Sequence, residues 1–246
     1  MRKVAYLGVF KRSLDRFLSR EEVIMNINPD KIQNSVIIFL RATIFLAIAG
    51  AGINKRWALF FSSTLVLSLT FLPYFITKEY KINLPVEFEF GIILFIYASL
   101  FLGELHDYYI KYWWWDILLH TGSGIALGFA GFLILYVLYY QNKIKAKPIW
   151  IAIFAFCFAV AIGSLWEIFE FTMDYMFGFN MQKTGLTDTM WDLIVDSIGA
   201  ALTSAIGYYY IKGEKTPLFT RLLVELSKEN RKYFKVKNKN KRQNDL

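Results

Sequence analysis

Cysteine and histidine are nearly absent from this chain. One Cys and two His occur among 246 residues, too few for a usual structural zinc site built from four such ligands. Cys157 lies within an apolar run and has no second cysteine to pair with. An intramolecular disulfide is therefore excluded, and the redox compartment is left unread. The common catalytic signatures are missing too. There is no Gly-rich phosphate loop, no H-E-x-x-H and no G-x-S-x-G elbow. The opening stretch MRKVAYLGVFKRSLDRFLSR has no continuous apolar core followed by a small-residue cleavage site, so no secretory signal is expected there. No clear repeat relates the first half of the chain to the second, which weakens an inverted-repeat transporter reading.

What the chain has in abundance is apolar surface. It is 56% hydrophobic and 18% aromatic, well above an ordinary soluble domain. A spanning helix needs roughly 20 mostly apolar residues, and six runs qualify: Val36–Ile53, Trp57–Ile76, Val86–Leu105, Trp115–Tyr139, Ile149–Phe171 and Trp191–Ile211. The first is the shortest and carries Arg41. Pro73 and Pro85 fall near segment ends, where a missing N–H costs little. The expected fold is an all-α integral membrane protein, a bundle of about six transmembrane helices. Residues 1–34 read as a basic amphipathic segment, 35–212 as the membrane domain with a candidate site in 104–200, and 213–246 as a basic cytoplasmic tail.

Charge sets the expected orientation and partners. With six spans, both termini share a side with the loops at Lys78–Lys81 and Lys143–Lys147. Lys and Arg number seven, two, three and eleven in those segments, whereas the opposite loops hold only Lys55 and Arg56, Lys111, and Lys183. The positive-inside rule then places both termini in the cytoplasm. Val4, Leu7, Phe10, Leu14, Phe17 and Leu18 favour one side of an N-terminal helix with basic residues between them. That pattern suits either an anionic membrane surface or packing against a loop. The net charge of +8 lies mostly in the tail. It fits membrane lipids and the anionic cytoplasmic leaflet better than nucleic acid. Oligomeric state is left open.

Polar residues interrupt the last three runs in a pattern. YYIKYWWWDILLH, Tyr108 to His120, begins as an aromatic belt of the kind found at membrane interfaces. It ends with Asp116 and His120 spaced i,i+4 on one helix face. SLWEIFEFTMDYMFG carries Glu167, Glu170 and Asp174, and GLTDTMWDLIVDSIGA carries Asp188, Asp192 and Asp196, again at spacings of three or four. Alternating spans bring all three stripes to one end of the membrane, where Glu104 and Asp107 could join them. Charge at mid-membrane costs about 2.5–3.5 kcal/mol per group on insertion scales. Clustered carboxylates cannot all ionise without compensation. Lys111 and Lys183 are loop residues, so a bound cation, shared protons or a water-filled cavity is required. Small residues (Gly124, Gly128, Gly131, Gly163, Ser164, Gly199, Ala200, Ser204, Gly207) would let the three helices approach closely.

The combination W-D-x-x-x-H, E-x-x-E and D-T-x-W-D-x-x-x-D-x-x-G-A resembles the YjdF-like family of small polytopic membrane proteins. More distantly it is similar to the VanZ-like family. The likeness covers about Trp115 to Ala200. Asp116 and His120 match the first element and Glu167 the second, with Glu170 where VanZ-like proteins usually have Gln. Asp192 and Gly199 match the third, with Asp196 in place of Asn. The VanZ-like arginine before the last motif has no equivalent here. The resemblance implies an integral membrane protein. Some VanZ-like members are linked to glycopeptide resistance.

Each residue also has a structural reading. Asp116 and Asp188 could cap helices. His120 could be a core histidine bonded to a carboxylate. Glu167 and Glu170 sit near a helix C-terminus, where the dipole disfavours them, so capping does not account for them. His120, Glu167 and Asp196 are the catalytic candidates; Asp116, Glu167, Glu170, Asp192 and Asp196 are the candidate metal ligands. The oxygen-rich set favours a divalent cation such as Mg, Mn or Ca. Three function classes remain open. The first is an envelope protein with an outward-facing acidic pocket that binds or processes a lipid-linked or phosphorylated headgroup. The second is a cation- or proton-coupled transporter, and the third a non-catalytic scaffold. Whether the protein is an enzyme is left open.

Overall fold

A computed structural model of the protein describes residues 29–214 and 216–234. Most of the basic N-terminal segment and the last residues of the tail lie outside them. The described residues are helical, without strands. Six stretches are long and apolar enough to cross a membrane: Lys31–Ile53, Leu59–Glu79, Val86–Glu104, Trp115–Tyr140, Pro148–Phe177 and Leu186–Lys212. The protein is a multi-pass membrane protein. Its chain divides into two compact units, and the division falls between Leu119 and His120.

In the first unit, α1 (Pro29–Ile53) is followed by α2 (Trp57–Leu69) and α3 (Leu72–Tyr80). The second span is thus two helices, where the sequence reads as one. Pro73 opens α3, because its ring and missing N–H forbid a continuous ladder through residue 69. Thr70 lies at the break and is fully buried. Arg41 of α1 turns inward to it: Nη2 donates to the Thr70 carbonyl at 2.8 Å and Nε to its hydroxyl at 3.2 Å. The guanidinium also stacks 4.3 Å from the Phe71 ring centre. Arg41 therefore satisfies the interrupted backbone.

α4 (Val86–Ile96) widens into a π-helical stretch, Tyr97–Glu104. His106 Nδ1 lies 2.6 Å from the Phe101 carbonyl at its end. A short helix, α5 (Tyr108–Lys111), follows. The aromatic run folds on itself: Tyr108 meets Tyr112 and Trp115 at 5.0 Å each. Trp115 Nε1 donates to the Ala98 carbonyl at 3.2 Å. Trp113 is the most outward-facing of these tryptophans, at 81% exposed.

The second unit begins in α6 (Trp115–Tyr140), which crosses the division. It continues through α7 (Pro148–Phe177), α8 (Leu186–Lys212) and α9 (Pro217–Glu229). α8 starts five residues before its apolar run does, so Asp188, Asp192 and Asp196 all lie on helix. Its polarity is inverted relative to a soluble helix. Asp192, Asp196, Gly199, Ala200, Thr203, Ser204 and Gly207 are buried, while Ile194, Ile198, Leu202 and Ile206 face outward. Lipid is as apolar as leucine, so close packing and polar contacts, more than hydrophobicity, hold such helices together.

The small residues set that packing. A Cβ on Gly124 would strike the Asp196 carbonyl oxygen, and one on Gly199 the Thr121 carbonyl. A Cβ on Gly128 would lie 3.1 Å from Thr203 Cβ, and one on Gly131 3.0 Å from Phe158 Cβ. The helices α6, α7 and α8 therefore meet backbone to backbone. Gly178 ends α7 at φ +69°, a left-handed conformation that glycine adopts without strain. α9 packs on the bundle through Phe219, Leu223, Val224 and Leu226. Phe219 lies 4.8 Å from Phe132 and 5.0 Å from Phe129, ring centre to ring centre. The tail thus carries a docked helix.

Candidate functional site

α6, α7 and α8 each contribute one face to a polar cluster. His120 stands in the second turn of α6 with its side chain 11% exposed. Glu167 projects from α7, one turn beyond Gly163, and Asp192 and Asp196 project from successive turns of α8. Each of these three carboxylates belongs to a residue that is 3% exposed. At 1.5 Å per residue, Glu167 and Asp196 lie about 15 Å from the nearer ends of their helices. That depth rules out simple capping.

The imidazole is the hub. His120 Nδ1 lies 3.3 Å from Asp196 Oδ2. Ser123, one turn further along α6, donates to Asp196 Oδ1 at 2.8 Å, and its hydroxyl also lies 2.8 Å from the His120 carbonyl. On the opposite edge of the ring, Nε2 stands 3.9 Å from Asp192 Oδ1 and 4.0 Å from Glu167 Oε1. Both separations exceed direct hydrogen-bond reach. Asp116 lies one turn before His120 on the continuous helix α6 and is half-buried. One ligand atom each from His120 and Asp192 lie within 4.8 Å of one another. Two ligands on one cation at about 2.0–2.6 Å are separated by up to about 5 Å, so these spacings accommodate a shared ion. A donor set of several oxygens and one imidazole suits Mn, Mg or Ca.

The packing that builds the bundle also places Asp196. A Cβ on Gly163 would sit 2.6 Å from Asp196 Oδ2, so α7 offers only a glycine where the carboxylate passes. The Asp196 backbone is itself pressed against Gly124.

Other acidic residues of the stripes have different surroundings. Glu170 is half-buried and its Oε1 accepts from Trp166 Nε1 at 2.9 Å, on a face where Trp166 is exposed. Asp174 fastens the loop after α7, accepting from the backbone N–H of Met181 at 2.7 Å and of Gln182 at 2.9 Å. Asp188 is half-buried in the first turn of α8. Asp107 of the first unit pairs with Lys111 at 3.9 Å. Ser123 is the residue that sequence reasoning passed over. Its signal was spacing, since it lies three residues after His120 on the same face.

A protein of Thermotoga maritima, named only as an uncharacterized protein, is 31% identical over 144 residues, covering 56% of this chain and 70% of that relative. No solved structure matches the chain. Residues 36–213 match the family described as "Predicted membrane protein (DUF2238)", and with that match spanning all six membrane-crossing stretches in whole or large part, the chain belongs to this family.

Proposed function

We propose that the cluster binds a divalent cation and, through it, the phosphate of a lipid-linked or phosphorylated headgroup at the outer leaflet. One observation carries the reading: His120 Nε2 faces the buried carboxylates of Glu167 and Asp192 at 4.0 and 3.9 Å. Buried carboxylates on two packed helices need compensation, and a bound cation would supply it. His120, Glu167 and Asp192 are the residues that would hold the ion. A bound divalent cation supplies Lewis-acid polarisation of a phosphoryl oxygen. The basic cytoplasmic-side loops support an orientation with both termini inside, which puts the start of α6 and α8 at the outer surface. The YjdF-like and VanZ-like resemblance is compatible with an envelope role and adds no chemistry.

The test uses the purified protein in nanodiscs with a short-chain phosphatidic acid as probe. Binding should require Mn²⁺ or Mg²⁺ and be lost in Glu167→Gln. Cation binding without any probe binding, together with Mn²⁺ flux across vesicles, would replace this reading with a cation-coupled transporter. Absence of both cation and probe binding would leave a scaffold whose polar cluster fixes helix packing.

A further inference from the structure

We infer that Asp196 and Ser123 are positioning residues for His120, holding the imidazole as its Nδ1–H tautomer with the Nε2 lone pair turned toward Glu167 and Asp192. This assigns Asp196 a role other than the ligand role expected from the sequence. Only the metal-binding arm of the test rests on the proposed cation site.

Three observations combine. First, both oxygens of Asp196 are engaged from α6: Oδ1 by the Ser123 hydroxyl at 2.8 Å and Oδ2 by His120 Nδ1 at 3.3 Å. Second, Asp196 has nowhere else to go. Its carboxylate backs on Gly163 and its backbone on Gly124, at positions where an added Cβ would collide. Third, an ionised carboxylate only accepts hydrogen bonds. The contact with Asp196 therefore requires the proton on Nδ1 and leaves Nε2 as the acceptor edge. That edge, rather than the Asp196 side, faces Asp192 and Glu167. A ligand atom of Asp192 lies within 4.8 Å of one of His120. A carboxylate behind a metal-facing histidine fixes the tautomer and aims the ring, and losing such a partner lowers metal affinity about 10–100-fold.

The chain has two histidines, so a His106→Gln background leaves His120 as the sole imidazole for ¹⁵N NMR in nanodiscs. In metal-free protein at pH 8, Nδ1 should resonate as protonated and Nε2 as unprotonated. Asp196→Ala should move the proton to Nε2 or give a mixture. Asp196→Asn, whose amide oxygen can still accept from Nδ1, should restore the starting tautomer, and Ser123→Ala should blur it. Mn²⁺ affinity should fall about 10–100-fold in Asp196→Ala and only a few-fold in Asp196→Asn. A purely structural role would lower thermal stability and leave the tautomer as it was. A proton on Nε2 alone, or on both nitrogens, in the starting protein overturns the inference, as does an unchanged tautomer in Asp196→Ala. If Asp196→Ala does not fold, the starting spectrum and Ser123→Ala decide. The expected tautomers without any Mn²⁺ binding would uphold this inference and remove the cation reading instead.

Discussion

Gly163→Ala is the smallest change that should disturb the cluster without replacing any of its polar groups. The added methyl would sit 2.6 Å from Asp196 Oδ2, against about 3.4 Å for ordinary contact, so the carboxylate must retreat by about 0.8 Å. Its retreat is blocked by Ser123 and His120, which hold the same group from α6. Overpacking of this kind costs about 1–3 kcal/mol, while Gly to Ala within a helix gains about 1 kcal/mol. Gly122→Ala supplies the internal control. It lies on α6 beside the cluster, and a Cβ there meets nothing within 4 Å, so it should collect the helix gain alone. The two variants should therefore differ by about 1–3 kcal/mol, a gap of several degrees in Tm at about 2–4 °C per kcal/mol for a chain this long. Thermal unfolding in detergent, followed by tryptophan fluorescence, measures it. Mn²⁺ affinity should fall about tenfold in Gly163→Ala, equal to about 1.4 kcal/mol, and stay unchanged in Gly122→Ala. Equal melting temperatures and equal affinities would refute the packing of Asp196 between Gly163 and α6.

Three further outcomes are expected. In a Cys157→Ser background, a membrane-impermeant thiol reagent added outside should label Lys183→Cys and spare Lys145→Cys; the reverse pattern would move the cluster to the cytoplasmic end. Arg41→Met should destabilise the protein by about 1–3 kcal/mol, since it leaves the buried Thr70 carbonyl without its guanidinium donor, and Arg41→Lys should not restore both bonds; melting curves of the two variants decide. Gly124→Ala should cost more stability than Gly128→Ala in the same melts. The first drives a methyl into the Asp196 backbone, whereas the second meets a Thr203 methine carbon at 3.1 Å.

The spans were legible because hydropathy over about 20 residues is a property of each segment alone. The polar stripes were legible for a similar reason: spacings of three and four residues fix a common helix face. What the sequence hid depends on partners far along the chain. Pro73 reads as lying near a segment end, yet it breaks the second span at Thr70, and Arg41, 29 residues earlier, closes the break. Nothing local distinguishes the π-helical turn at Tyr97–Glu104 from an ordinary one. On α7 the inward line runs through Gly163 and Glu167, while Glu170 turns to Trp166. Sequence spacing allowed Glu167 and Glu170 to be grouped, and only the register against α8 separates them. Gly163 reads as a mere small residue, and Ser123 goes unread, until Asp196 is placed between them.

Metal content is the most direct test of the central claim. Protein purified without chelators, then titrated with Mn²⁺ and followed by electron paramagnetic resonance, should bind one ion per chain. Glu167→Gln and Asp192→Asn should each weaken that binding by at least about tenfold, while the metal-free Glu167→Gln protein melts no lower than the metal-free starting protein because a buried like charge has been removed. No bound Mn²⁺ in the starting protein, or the same affinity in both variants, would contradict the account.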